Sequence, residues 1–291
     1  MSAQAASDDP SATTARRLWE RLEVAHTVTY FAPEVAEAHR EVGLRGRTMA
    51  YTAARIAPLG PVGPALAVAT FYGFAPRVLQ RVLPDAWGFA APGEVLEATV
   101  AAVARVLDGA WQGLEPTVVE AAELAREAAE RHPVVGRPLA AARSALPWPS
   151  APAAQLWEAA TRIRESRGDG HLACLVQADL DGVECHLTVV GDHPRVREQL
   201  VQLRGWTSED LDAAALRLRE RGLLESDGSM TEAGRALRAR IETRTDELAA
   251  APWERLGWDA AQRLHTLLDT LVQPIAAAGF LPSVVTRRVT V

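Results

Sequence analysis

The sequence contains no lysine and only two cysteines, and these shortages limit what the protein can be. All 31 basic residues are arginine, a bias that is typical of a GC-rich bacterial genome. Cys174 and Cys185 lack CxxC spacing, so they fit a reducing compartment and are expected to be small buried hydrophobic residues.

Long hydrophobic runs are also absent. The longest apolar stretch, around residues 65–74, is shorter than the roughly 18 residues that a transmembrane helix requires. Residues 1–10 are rich in alanine, serine and aspartate and lack the basic and apolar regions of a signal peptide. We therefore expect a cytoplasmic protein with no membrane partner and a flexible tail over residues 1–12.

The motifs that identify common cofactors and hydrolases are missing as well. The chain has no GxGxxG, Walker loop, GxSxG or HExxH, so the cofactor stays unknown. The formal net charge of −6 gives an average field that opposes nucleic acid. The apolar content of 48% is nonetheless that of a folded globular protein, and 291 residues suffice for two domains.

Short sequence landmarks recur in the same order and indicate an internal duplication. They are Leu18-Trp19-Glu20 with Leu156-Trp157-Glu158, Pro76-Arg77-Val78 with Pro194-Arg195-Val196, and Trp87 with Trp206. A duplicated chain has an internal pseudo-twofold axis, and the cleft between its halves is a natural ligand site. We predict that the two copies superpose as similar helical units.

The proline-rich segment 145–152 is the best linker between the copies. It separates a first winged-helix-like domain with a helical extension, 13–144, from a second winged-helix domain with long carboxyl-terminal helices, 153–291. Within the second copy, Gly168-Asp169-Gly170 is expected to break a helix that resumes at His171.

A winged-helix pattern follows in residues 207–248. A helix ends at Gly222, Leu223 and Leu224 enter a strand, Asp227-Gly228 is a tight hairpin turn, and Thr231 caps a long helix. This layout resembles the carboxyl half of MarR-like regulators.

Stretches along most of the chain resemble the SalK-like helix-turn-helix proteins of actinobacteria. The matching segments are residues 26–34, 71–74, 83–87, 168–171, 221–224 and 251–253. The resemblance implies a mainly α fold, a tandem winged helix in which a helix-turn-helix with a short β-hairpin wing occurs twice. It supplies no activity and no catalytic residue.

The helix that would read DNA has the wrong charge. It starts Ser208-Glu209-Asp210-Leu211-Asp212, and the wing over residues 225–229 adds two acids and no arginine. These acids suit the helix dipole but repel phosphate. Specific DNA binding is therefore not expected.

His26 and Tyr30 are one helical turn apart, and Glu34 follows across the Pro33 break. This spacing suits one pocket wall, where the three groups would form a proton-transfer set or contact a metal or haem. The alternative is a core histidine with an aromatic neighbour.

His171 is the second candidate histidine. The predicted helix start would let Asp169 cap, and its dipole would lower the pKa of His171, favouring a neutral base or metal ligand. Pseudo-symmetry would then bring His26 and His171 to opposite walls of one cavity. An ordinary helix–loop–helix break is the alternative.

Arg45, Tyr51 and Arg55 form a candidate carboxylate-binding stretch, but a solvated face is the favoured interpretation of the arginines. Phe71 and Phe74 are candidates for an apolar pocket wall or for plain core packing.

The leading hypothesis is a protein that has lost DNA reading and binds a small organic molecule between its halves, as a biosynthetic enzyme or a sequestering protein. The alternatives are a MarR-like ligand-responsive transcription regulator and a haem or metal protein using His26 or His171. The oligomeric state stays open.

Overall fold

The computed structural model describes residues 10–282 and 285, and helices form nearly all of its regular structure. They are α1 (Pro10–Phe31), α2 (Pro33–Glu41), α3 (Gly46–Ile56), a 3₁₀ turn (Ala57–Leu59), α4 (Pro64–Thr70), α5 (Pro76–Phe89), α6 (Pro92–Ala110), α7 (Glu115–Ala129), α8 (Pro138–Ser144), α9 (Pro152–Gln177), α10 (Glu184–Val190), α11 (Pro194–Arg204), α12 (Ser208–Glu220), α13 (Glu232–Leu248), α14 (Ala251–Leu256) and α15 (Trp258–Ala277). Many begin with proline, whose fixed φ suits the first helical turn and whose missing N–H has no partner to lose there. Within the described residues, no helix has both the length and the apolar character needed to cross a membrane.

Helix α9 lies at the centre of the molecule. It packs against α1, α6, α7, α8 and α13, and its Leu156 and Trp157 are buried in the largest core cluster. The indole Nε1 of Trp157 donates a hydrogen bond to Thr29 Oγ1 on α1 at 2.7 Å. This cluster takes residues from both sides of segment 145–152, while the two-domain division itself stays a prediction.

Helices α10 to α13 form a helix-turn-helix unit with its own core cluster. Thr207 caps α12 through Asp210 N, and Thr231 caps α13 through Gly234 N. The predicted hairpin wing is reduced to a single antiparallel bridge between Leu224 and Met230, and no β-strand occurs among residues 10–282 and 285. Because α13 begins at Glu232, the segments on either side of the turn are too short to form a β-ladder.

The first half follows the same order only in part. Pro76 and Pro194 both begin helices, but Trp87 lies inside α5 whereas Trp206 lies in the turn between α11 and α12. Helix α6 continues through a turn at Gly113 into α7, with no bridge between. Superposition of the halves therefore stays a prediction, and the Trp87–Trp206 match does not mark equivalent positions.

The predicted helix break at Gly168–Gly170 is wrong, because α9 runs without interruption from Pro152 to Gln177. Packing overrides the low helix propensity of the two glycines. An added Cβ at Gly170 would make only ordinary van der Waals contact with the Arg137 guanidinium, about 3.5 Å away. The Asp169 carboxylate accepts hydrogen bonds from Leu139 N and Ala140 N, both at 3.0 Å, so it caps α8 rather than its own helix.

Candidate functional site

Three helices each direct two polar side chains, one turn apart, toward the same point. Helix α1 contributes His26 and Tyr30, α3 contributes Tyr51 and Arg55, and α9 contributes Thr161 and Glu165. Residues four apart share a helix face, so the packing of these helices brings the pairs together. We call these six residues, with Glu23 and Arg164, the central polar cluster.

Hydrogen bonds through His26 run in one direction. The Thr161 hydroxyl donates to Trp157 O at 2.8 Å, so it accepts at 3.0 Å from His26 Nδ1. Nε2 of the neutral ring is therefore the acceptor, and the Tyr30 hydroxyl donates to it at 3.0 Å. Burial, aided by the charges of Arg164 and Arg55, lowers the pKa of His26 well below its usual value, which keeps the ring neutral.

Arg55 and Glu165 form a bidentate ion pair beside these hydrogen bonds. Arg55 Nε and Nη2 donate to the two carboxylate oxygens at 3.0 and 2.8 Å. Arg164 Nη1 donates to Glu165 Oε1 at 2.9 Å, and its Nε lies 3.4 Å from Glu23 Oε2. Burial opposes ionisation of Glu165, but Arg55 and Arg164 outweigh it and lower the pKa of that carboxyl to about 2.

Tyr30 and Tyr51 are adjacent, but their pKa values are shifted in opposite directions. Their ring centroids are 4.7 Å apart. Removal from water raises the pKa of Tyr30. It acts in the same direction on Tyr51, but the positive charges of Arg55, Arg204 and Arg164 outweigh it and lower the pKa of Tyr51. Two similar groups whose environments separate their acidities are suited to different roles in proton transfer.

An aromatic wall stands beside Tyr51. The rings of Phe71 and Phe74, both buried, have centroids 6.4 and 5.6 Å from that of Tyr51. Arg55 Cζ lies 5.0 Å from the Phe71 centroid, and Arg204 Cζ lies 4.3 Å from that of Phe74. The predicted pocket wall is thus next to the cluster and also belongs to the core of the first half.

On the other side of Tyr30 the cluster borders a cavity of about 20 Å³. That is room for one water molecule. Both polar and apolar side chains line this cavity, and they include His26, Tyr30, Thr99, Arg143, Trp157 and Glu165. A larger molecule would have to widen it by moving side chains.

Four predicted site residues belong neither to the cluster nor to its aromatic wall. Glu34 is exposed in the first turn of α2. Arg45 is exposed, and its guanidinium covers the Phe89 ring at 4.2 Å. Asp169 caps α8, and His171 Nδ1 bonds Thr245 Oγ1 of α13 at 2.9 Å. The two candidate histidines therefore do not face one cavity, because the unbroken α9 directs His171 toward α13.

Arg143, Thr161, Arg164, Glu165 and Arg204 were not identified from the sequence. One signal was present for those on α9. That helix carries charged residues on all sides yet would have to be buried, and buried charges need partners. The partners come from α1, α3 and α8, so their identity depends on the tertiary fold.

The described residues offer little to a metal ion. Among residues 10–282 and 285, no group of three or more His, Cys, Asp or Glu side chains is placed to hold one. Both ring nitrogens of His26 already have hydrogen-bond partners.

The exposed face of α12 is acidic and apolar, with Glu209, Asp212, Leu216 and Glu220 in contact with solvent. Nearby arginines are held by acids of the same unit. Arg197 pairs with Asp192 and Asp212, and Arg217 pairs with Asp181 and Glu184. Arg77 of α5 bonds Asp210 at 2.7 Å, so the first half covers the start of α12.

Comparison with known proteins places the chain in a family. The model of a helix-turn-helix family matches residues 15–282, and the chain therefore belongs to that family. No curated protein and no solved structure matches it.

Proposed function

We propose that this member of the helix-turn-helix family binds a small organic molecule at the central polar cluster and does not read DNA with α12. The observation that carries the proposal is the directed chain of hydrogen bonds from Tyr30 through His26 to Thr161, three residues that all line one cavity. Polar groups that converge in an apolar, aromatic-lined space are typical of ligand sites. A fold needs no such arrangement, since buried ion pairs are seldom more stabilising than apolar packing.

The same geometry supports a catalytic role for the bound state. The Tyr30 hydroxyl keeps its lone pairs free because its proton goes to His26, so it can accept a hydrogen bond from a ligand. The surrounding arginines lower the pKa of Tyr51, so the Tyr51 hydroxyl is the group of the cluster that is suited to exchange a proton with a ligand. A biosynthetic enzyme that transfers protons is therefore the form of this function that the cluster favours over simple sequestration.

The acidic face of α12 supports the second half of the proposal. Phosphate contacts supply most of the affinity of DNA-binding proteins, and Glu209, Asp212 and Glu220 would oppose them. The tandem winged-helix arrangement, the SalK-like affiliation and the MarR-like likeness stay part of this proposal, as does a place in the cytoplasm.

Native mass spectrometry of gently purified protein tests the proposal. We expect a small molecule on the wild type, either as purified or after incubation with a deproteinised cell extract. Tyr30→Phe should lower its occupancy at least about ten-fold, because a buried partner loses its hydrogen bond.

Tyr72→Phe is the matched control, since the Tyr72 hydroxyl bonds Leu180 O away from the cavity. It should leave occupancy unchanged. A wild type that carries no small molecule under either condition contradicts the proposal. So would a sequence-dependent DNA complex that is lost when Glu209, Asp212 and Leu216 are changed.

A further inference from the structure

A buried triad of Arg143, Glu158 and Arg162 borders the cavity and carries more positive than negative charge. Arg143 Nε lies 3.1 Å from each carboxylate oxygen of Glu158, and Arg162 Nε lies 2.8 Å from Oε1. The three side chains are only 6%, 2% and 4% exposed. Among residues 10–282 and 285, no second carboxylate comes within ion-pair distance of either arginine. Two cations against one anion leave one positive charge in the interior.

The other charged groups around the cavity balance one another. Arg55 and Arg164 both donate to Glu165, and Arg164 Nε lies 3.4 Å from the Glu23 carboxylate. These two arginines and two carboxylates have no net charge. His26 adds none, because burial keeps it neutral. The surplus therefore belongs to the triad.

The two arginines of the triad differ in how their remaining donors are used. Arg162 Nη2 donates to Leu146 O at 2.7 Å, and its guanidinium lies over the Trp148 ring, 3.9 Å from the centroid. Arg143 donates to Glu158 through Nε and Nη2, but its Nη1 has no acceptor within the described part of the chain. Because Arg143 lines the cavity, Nη1 is the donor of the triad that an occupant of the cavity can reach.

Thr29 offers a second unused donor to the same cavity. Its Oγ1 accepts from Trp157 Nε1, but its own hydrogen has no acceptor among the residues that the structure describes. The other buried threonines donate to a backbone carbonyl of the preceding turn, as Thr99 and Thr161 do. The Trp157 indole also contacts Arg143, whose Cζ lies 4.9 Å from its ring centroid. One indole thus holds both unused donors at the cavity.

We propose that the cavity binds one small monovalent anion of the halide class, which contacts Arg143 Nη1 and the Thr29 hydroxyl and serves as the counter-ion of the triad. Uncompensated charge away from water is costly, and an anion at this point gives both unused donors a charge-assisted hydrogen bond. The cavity of about 20 Å³ has room for one water molecule, and chloride and bromide are only slightly larger. The site is independent of the proposed function, because the ion needs no widening of the cavity and an organic molecule does.

Bromide locates the site directly, because its anomalous X-ray scattering distinguishes it from water. Crystals of the dialysed full-length protein are soaked in sodium bromide. We expect an anomalous peak in the cavity, in contact with Arg143 Nη1 and Thr29 Oγ1. The absence of a peak there overturns the proposal, and so does a peak that persists at full height in Arg143→Gln.

Thermal unfolding measures the same binding in solution, since an ion that binds only the folded protein raises the melting temperature with its concentration. Sodium chloride is compared with sodium gluconate at equal ionic strength, because gluconate is too large for the cavity. We expect chloride to raise the melting temperature of the dialysed wild type along a saturating curve that gluconate does not reproduce.

Arg143→Gln removes the surplus charge and leaves Arg162 and Glu158 as a balanced pair. The chloride concentration at half-saturation should rise at least about ten-fold, because a charge-assisted hydrogen bond is lost. Arg105→Gln is the matched control and should keep the wild-type response, since Arg105 is an exposed arginine of α6. If Arg143→Gln does not fold, the bromide map of the wild type decides alone.

Equal responses of the wild type to chloride and gluconate would overturn the proposal, as would an Arg143→Gln variant that responds like Arg105→Gln. Its failure is separable from that of the proposed function. A protein that carries an organic molecule, lost in Tyr30→Phe, but shows no bromide peak after dialysis keeps the proposed function and rejects the anion site.

Discussion

At the residue scale, the central polar cluster is governed by the neutrality of its histidine and the acidity of one tyrosine. His26 Nε2 can accept a hydrogen bond from the Tyr30 hydroxyl because the Thr161 hydroxyl donates its own hydrogen to a backbone carbonyl, which leaves the His26 proton on Nδ1. Tyr51 is stabilised as an anion because arginines surround it. The lowered pKa of Tyr51 depends on Arg55 of the same helix and on Arg204 and Arg164 of two other helices. Each property has a measurable consequence.

Tyrosine ionisation gives the first prediction. The chain has three tyrosines. Removal from water raises the pKa of Tyr30 and of Tyr72, and the arginines lower that of Tyr51. An absorbance titration of the folded protein should therefore show one tyrosine ionising below pH of about 10. That step should vanish in Tyr51→Phe and persist in Tyr72→Phe, and its survival in Tyr51→Phe would refute the assignment.

Acid stability gives the second prediction. Burial lowers the pKa of His39, His171 and His186 to about 4, and it lowers that of His26 well below its ordinary value. In the unfolded chain these groups bind protons near pH of about 6.5. Protonation therefore favours the unfolded state. The stability that the neutral histidines contribute to the folded state is complete above a pH of about 6.5 and is lost as the pH falls toward 4.

The melting temperature should thus drop steadily over that interval. His171→Gln should make this slope shallower, because one histidine fewer takes up a proton on unfolding. A melting temperature that stays level down to pH 4 would show that these histidines are not held neutral.

At the element scale, helix boundaries depend on whether a local signal or the tertiary packing dominates. Pro33 separates α1 from α2, as the sequence predicts, because proline lacks the backbone donor of an interior helical residue. Proline does not end every helix, since Pro84 and Pro274 lie inside α5 and α15. The glycines at 168 and 170 were misjudged because their cost, about 1 kcal/mol each, is small beside the burial of α9 among its neighbours. His171 was misplaced for the same reason. Tyr30 and His26 were predictable from four-residue spacing, whereas Glu165 and Arg204 required the packing of separate helices.

Continuity of α9 gives the third prediction. Alanine at 168 would place its Cβ no closer than 3.8 Å to any neighbour, so Gly168→Ala should stabilise the protein, by up to about 1 kcal/mol. Gly182→Ala is the opposite case, because its Cβ would lie 2.2 Å from Tyr72 O. Urea unfolding should separate the two variants in sign. Destabilisation by Gly168→Ala would indicate a break that the structure does not show.

Capping of α8 gives the fourth prediction. Asp169→Ala leaves the amides of Leu139 and Ala140 without their acceptor. The loss of a cap costs about 1–2 kcal/mol, so the urea midpoint should fall. Asp108→Ala on the exposed face of α6 is the control and should change little. Equal effects of the two substitutions would remove Asp169 from this role.

At the scale of the whole molecule, the helix-turn-helix unit is held against the rest of the chain at the point where DNA-reading proteins leave their recognition helix free. Arg77 reaches Asp210 at the start of α12, and Ala75 and Gly73 bond the turn before it. The same turn carries Arg204 to the aromatic wall. The unit thus places a positive charge beside Tyr51 of the central polar cluster.

The most direct test of that account is an experimental electron-density map of the gently purified protein at the cavity between Tyr30 and Arg143. The account predicts density for a small molecule that contacts the Tyr30 hydroxyl, in a space widened beyond the present 20 Å³. A cavity of unchanged size that holds a single water, in protein already incubated with cell extract, would contradict it.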